Sequence, residues 1–91
     1  MYTVKPTTRF SKDLKRIEKR GYKIDLMTAV IKRLASGESL EAKYHDHPLK
    51  GNYEGCRECH IAPDWLLIYE VVGEELILYL TRTGTHSDLF G

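Results

Sequence analysis

Trp65-Leu66-Leu67-Ile68-Tyr69-Glu70-Val71-Val72 is the stretch that decides the fold. Its β-branched and aromatic residues suit a pleated, buried surface and predict a strand. Gly73-Glu74 then supplies a turn, and Leu76-Ile77-Leu78-Tyr79-Leu80-Thr81 repeats the pattern. The two runs predict a β-hairpin. Working upstream, residues 56–61 read as a further strand, and residues 37–54, with Gly37, Pro48, Gly51 and Asn52, read as loop.

Before that loop the apolar period changes from 2 to 3.6. Phe10, Leu14 and Ile17 recur at i, i+4, i+7 and predict a helix over roughly 10–20, closed by Gly21. Thr7, Thr8 or Ser11 supplies the capping hydroxyl. Met27, Val30, Ile31 and Leu34 form a second stripe, ended near Ser36-Gly37. A short connection makes the two helices an antiparallel hairpin. Residues 2–6 alternate weakly and read as a short strand ended by Pro6. The order β-α-α-β-β-β predicts one α+β domain over 1–91, with the helical hairpin packed on a mainly antiparallel sheet.

No apolar run approaches the roughly 18 residues of a membrane span, and no apolar stretch at the N-terminus reads as a signal peptide. The cytoplasm is the default expectation, with no membrane partner. Net charge is +1, but unevenly spread: residues 1–50 hold 12 Lys/Arg against 6 Asp/Glu, and residues 51–91 hold 2 against 7. A basic half is an electrostatic footprint for phosphates, although a merely solvated helix surface produces the same count. Lys12, Lys15, Arg16, Lys19 and Arg20 lie off the first stripe and are the expected steering cations.

Cys56-Arg57-Glu58-Cys59-His60 spells a haem-attachment motif, C-x-x-C-H. Strand parity argues against it, because Cys56 and Cys59 then point to opposite sheet faces. The same parity weakens a redox disulfide. It also weakens zinc held by both cysteines and two of His45, His47, His60 and His86. The expected metal is none, and the cysteines read as small packing residues.

Three segments concentrate acid–base residue types: His45-Asp46-His47-Pro48-Leu49-Lys50-Gly51, Arg57-Glu58-Cys59-His60-Ile61-Ala62-Pro63-Asp64-Trp65, and Thr81-Arg82-Thr83-Gly84-Thr85-His86-Ser87-Asp88-Leu89-Phe90. Each flanks or ends in a loop, where reactive side chains usually sit. Histidine exchanges protons near neutrality, having an unperturbed pKa near ~6.5. DHPLKG, RECHIAPDWLLIY and RTGTHSDLF, in this order and spacing, resemble the motifs of the YafQ branch of RelE/ParE-type toxins. RFSKDLKR at the N-terminus resembles that family's first helix. The resemblance covers nearly the whole chain.

The resemblance implies a RelE-like microbial ribonuclease fold, a cognate antitoxin as partner, and ribosome-bound mRNA as substrate, with no cofactor. It also carries over roles. His86 is the general acid, and His60 with Asp64 forms the base side, Asp64 orienting the ring or taking the proton itself. His47 is a second base candidate or phosphate ligand. Arg82 is the electrostatic clamp, and Lys50, Phe90 and Trp65 are substrate contacts, Trp65 being equally suited to the core. His45 receives no role, and Glu58 stands where relatives often have aspartate. The chemistry needs no metal, because the 2′-OH of RNA is an internal nucleophile. It requires a base for that hydroxyl, an acid for the 5′ oxygen and a cation facing the phosphorane. The rival readings are a non-catalytic RNA- or ribosome-binding module and a protein-interaction domain of the same fold.

Overall fold

The structure, a computed structural model, describes residues 1–91. Its elements are β1 (Thr3–Pro6), α1 (Thr8–Lys19), α2 (Ile24–Ala35), β2 (His47–Pro48), β3 (Arg57–Ala62), β4 (Trp65–Val72), β5 (Ile77–Gly84) and α3 (His86–Phe90). The expected α+β architecture stands, with two additions. Residues 37–54 are not all loop: they contain β2 and two short 3-10 turns, Ala42–Tyr44 and Gly51–Tyr53. The tail ends in a helix.

The sheet order is β1-β5-β4-β3-β2. β1 runs parallel to β5 and every other pairing is antiparallel. Thr7 fixes the β1–α1 junction in both directions. Its hydroxyl accepts from the Phe10 amide at 3.1 Å, capping α1, and donates to the Thr81 carbonyl of β5 at 2.9 Å. At the other end, Gly21 takes φ +80°, a left-handed conformation that glycine reaches without a Cβ penalty. The chain then turns back, the Tyr22 amide donating to the Ile17 carbonyl at 3.1 Å.

Each face of the sheet has its own apolar cluster. On the helix-covered face, Phe10 and Ile17 of α1 and Met27, Val30 and Leu34 of α2 pack with Cys59, Trp65, Leu67, Tyr69, Leu78 and Leu80. Truncating a core leucine there costs about 2–5 kcal/mol. Trp65 belongs wholly to this cluster, so the expectation of a substrate contact is corrected. Its ring lies edge-on to Tyr22 at 5.0 Å and its Nε1 donates to Thr83 Oγ1 at 2.9 Å. Cys56 instead joins Leu66, Ile68 and Leu89 on the opposite face, under Leu49 and Tyr53. The two cysteines therefore face apart as their parity predicts. Burial pushes the Cys59 thiol up to about 12, away from the thiolate that a metal or haem link requires.

Candidate active site

The site forms where β2, β3, the β3–β4 turn and α3 meet. Register does the first part of the assembly: His47 of β2 pairs with Glu58 of β3, and Glu58 pairs with Ile68 of β4. Alternation along β3 puts Glu58 and His60 on one face while Cys59 enters the helix-covered core. His47 Nε2 lies 2.9 Å from Glu58 Oε2, and His60 Nε2 lies 4.0 Å from the same oxygen. Glu58 is only 5% exposed. Its residue type and position in the chain gave no role; the pairing register shows that it sits between the two histidines.

α3 brings the third histidine. Thr85-His86-Ser87-Asp88 is a capping box: Thr85 Oγ1 accepts from the Asp88 amide, and Asp88 Oδ2 accepts from the Thr85 amide at 3.0 Å. This S/T-x-x-D spacing was the available sequence signal for a helix in the polar tail. Gly84, at φ +152°, lies against it; a Cβ there would come within 2.9 Å of Asp88 Oδ2, so this one position of the R-T-G-T-H run has no room for a side chain. Arg20 of α1 clamps the turn from outside, donating to both Asp88 oxygens at 2.6 and 3.0 Å. These bonds hold the Asp88 carboxyl well below the usual carboxylate range.

Asp64 contacts His86 and not His60, which corrects the expected pairing. One oxygen, Oδ1, accepts from the His86 backbone amide at 3.0 Å and lies 2.7 Å from His86 Nδ1. The backbone bond, then the ring contact, lowers the Asp64 carboxyl from its ordinary value. The reason for the misreading is topological: Asp64 sits past the end of β3 in the turn, where the chain has already swung toward α3. With Nδ1 committed to Asp64, His86 presents Nε2 outward.

The rings form a row. His60 lies between His45 and His86, with centroids at 5.5 and 5.7 Å, and Phe90 follows His86 at 6.5 Å and meets Tyr53 at 5.8 Å. A cleft of about 730 Å³ opens at one end, lined by Leu26, Tyr44, His45, His47, His60 and Pro63. A second, of about 390 Å³, opens at the other, lined by Arg9, Lys50, Asn52, Tyr53, Leu89 and Phe90. Lys50 and the half-exposed Phe90 are thus placed together beside the histidines.

Arg82 is not an open clamp. Its Nε and Nη2 donate to Asp13 of α1 at 2.6 and 3.0 Å, Nη1 donates to Tyr53 Oη at 3.3 Å, and only 7% of the residue is exposed. Asp13 also accepts from the Thr83 amide at 3.1 Å. The pairing raises the Arg82 guanidinium further above its ordinary value and fixes α1 to β5. Arg20, and Arg16 at 3.7 Å, likewise face Asp88, which removes both from the expected set of free steering cations. Lys12, Lys15 and Lys19 remain exposed.

Residues 2–91 match the family described as the bacterial toxin of type II toxin–antitoxin systems, YafQ. The chain is 42% identical over 86 residues to the mRNA interferase toxin YafQ of Escherichia coli K12, covering 90% of this chain and 88% of that protein. YafQ in the E. coli DinJ–YafQ complex superposes over 100% of both chains with a TM-score of 0.91 at 36% identity. A metal-bound toxin from Helicobacter pylori gives a TM-score of 0.92 at 44% identity, over 99% of this chain and 100% of that one. The histidine row, the fold that assembles it and these likenesses agree: the chain belongs to the YafQ family of bacterial toxins from type II toxin–antitoxin systems.

Proposed function

We propose that this protein is a ribosome-dependent mRNA endoribonuclease, the toxin of a type II pair, held in check by a cognate antitoxin. The observation that carries the reading is the convergence of His47, Glu58, His60, Asp64 and His86 on one open edge, between two clefts. The E. coli relatives supply the substrate class and the kind of partner.

Asp64 fixes the His86 ring so that its Nε2 proton can be given to the departing 5′ oxygen. On the other side, His60, backed by the Glu58 carboxylate, takes the 2′-OH proton. The freed oxygen attacks the adjacent phosphorus, and the bond to the 5′ oxygen breaks. The products are a 2′,3′-cyclic phosphate and a 5′-OH end. His47 joins Glu58 on the base side. The Arg82–Asp13 pair is close to neutral, so Lys50 and Arg9, both on the Phe90 cleft, are the better cations for neighbouring phosphates. Phe90 offers an exposed ring for a base to stack on. Lys12, Lys15 and Lys19 suit ribosomal RNA phosphates. The H. pylori relative was captured with a metal, yet in this scheme every bond change is served by side chains and the 2′-OH.

The test is to incubate purified protein with translating ribosomes and defined mRNA, then map the ends. Cuts bearing 5′-OH ends are expected. Ribosome or mRNA protection without any cut would overturn the enzyme and favour a binding module of the same fold.

A further inference from the structure

Asp46 stands between His45 and His47, yet its carboxylate takes no part in the histidine row. Oδ1 accepts from Tyr69 Oη at 2.7 Å and from Arg57 Nε at 3.3 Å. Tyr69 is buried in the core beneath the two helices, and Arg57 shares strand parity with Cys59, which enters that same core. His47, one residue on, lies against Glu58, which has the opposite parity on β3. Asp46, Arg57 and Tyr69 border a cleft of about 300 Å³ together with Tyr2, Leu34 and Val71 among others, and no histidine lines it. Asp46 therefore grips the sheet from behind while its neighbour faces the site.

The segment needs such a grip. β2 is only His47–Pro48, and so short a strand has little pairing of its own to fix it. His47 Nδ1 lies 3.1 Å from the carbonyl of the adjoining Pro48, a contact that moves with β2 and does not tie it down. Upstream, His45 takes φ +47°, a left-handed conformation unfavourable for a residue with a Cβ, and its amide donates to the Ala42 carbonyl at 3.0 Å. That bond fixes His45 to the 3-10 turn at Ala42–Tyr44 but reaches neither β3 nor β4. Asp46 supplies the side-chain tie across the strands, since Arg57 of β3 and Tyr69 of β4 are themselves a register pair. Burial, then the bond to Asp46, raises the Tyr69 hydroxyl above its ordinary value, so it remains a protonated donor. Its bond to a carboxylate is stronger than one between two neutral groups.

We propose that Asp46, held by Tyr69 and Arg57, is a positioning residue for RNA cleavage that sets the His47 ring against Glu58. The proposal rests on the functional reading above, in which His47 and Glu58 serve the base side. Asp46 touches no substrate in that scheme and acts only through His47. The expected effect is large for so remote a group, because a misplacement of about 1 Å can cost about a hundredfold in rate.

The test is a double-mutant cycle read by cleavage of ribosome-bound message, with histidine ring and Trp65 indole signals recorded by NMR on the free chain. Asp46→Ala should lower kcat by about 10–100-fold with KM nearly unchanged. Asp46→Asn, which keeps an acceptor for Tyr69, should recover most of that loss. Tyr69→Phe removes one donor, leaves the ring in the core, and should lower kcat by a smaller factor. In the His47→Ala background, Asp46→Ala should cost little more, because the residue it positions is gone. The His47 ring signals should shift in Asp46→Ala while the Trp65 indole keeps its wild-type position. Should Asp46→Ala fail to fold, Tyr69→Phe carries the same cycle. Wild-type kcat in the folded variant overturns the proposal, as does an equal loss with and without His47. A wild-type chain that cuts nothing sinks the nuclease reading; the His47 signals then decide whether Asp46 sets that ring, and unmoved signals overturn it.

Discussion

Asp13–Arg82 and Asp64–His86 are the same kind of contact in opposite surroundings. Both join a carboxylate to a nitrogen base in the C-terminal R-T-G-T-H segment, at 2.6 and 2.7 Å. The side chains of the first pair are 2% and 8% exposed; those of the second are 64% and 54% exposed. Burial makes the first pair a structural tie between α1 and β5, since separating it would strand a charge away from water. Exposure leaves the second pair contributing little to stability and open to solvent. Contact distance alone does not separate these two carboxylates; solvent access does.

His86→Ala tests the exposed pair most severely. Cleavage should slow by about 10²–10⁴-fold, the usual yield of one general acid, with the urea midpoint unchanged. Wild-type cleavage by a folded variant would remove the assignment. Asp13→Ala tests the buried pair: it should lose about 3–5 kcal/mol of stability in urea denaturation, because Arg82 is left buried and unpaired. An unchanged midpoint would show that Arg82 finds another partner and would dissolve the contrast.

Asp64→Asn sharpens the comparison, since it keeps shape and removes charge. It should slow cleavage by about 10–100-fold through a misplaced proton donor, without altering the melting temperature. A loss of stability as large as that of Asp13→Ala would make the two carboxylates equivalent after all. The smallest effect belongs to the Arg20–Asp88 clamp, intermediate in exposure. The folded Asp88 carboxyl lies below its unfolded value, so its contribution is complete above the ordinary carboxylate range, near ~4, and is lost as pH falls through the lower folded value. The melting difference between wild type and Arg20→Ala should therefore be present at neutral pH and shrink in acid. A difference that grew in acid would have the wrong sign for this pair.

Much of the site was legible in order along the chain. His47, His60 and His86 stand in three motifs, and the structure brings all three to one edge. What could not be read was the partnering. Asp64 follows His60 closely in sequence, yet a strand end separates them, and the turn hands Asp64 to His86. Asp13 falls on the apolar stripe of α1 at i+3 from Phe10, a position from which a carboxylate must find a buried cation, but the cation lies 69 residues away. Glu58 gained its place only when the two-residue strand at His47–Pro48 was known.

Local physics in the sequence determined the elements. Apolar period, capping hydroxyls and glycine punctuation specify two helices and the main strands, and parity along β3 already sets the two cysteines on opposite faces. Tertiary structure alone decided which charged groups meet and how much water each keeps. Those facts depend on contacts between residues far apart in the chain, whose energies no local pattern encodes. Arg82 and His86 show the consequence, four residues apart in one motif, one sealed against α1 and the other left open to solvent.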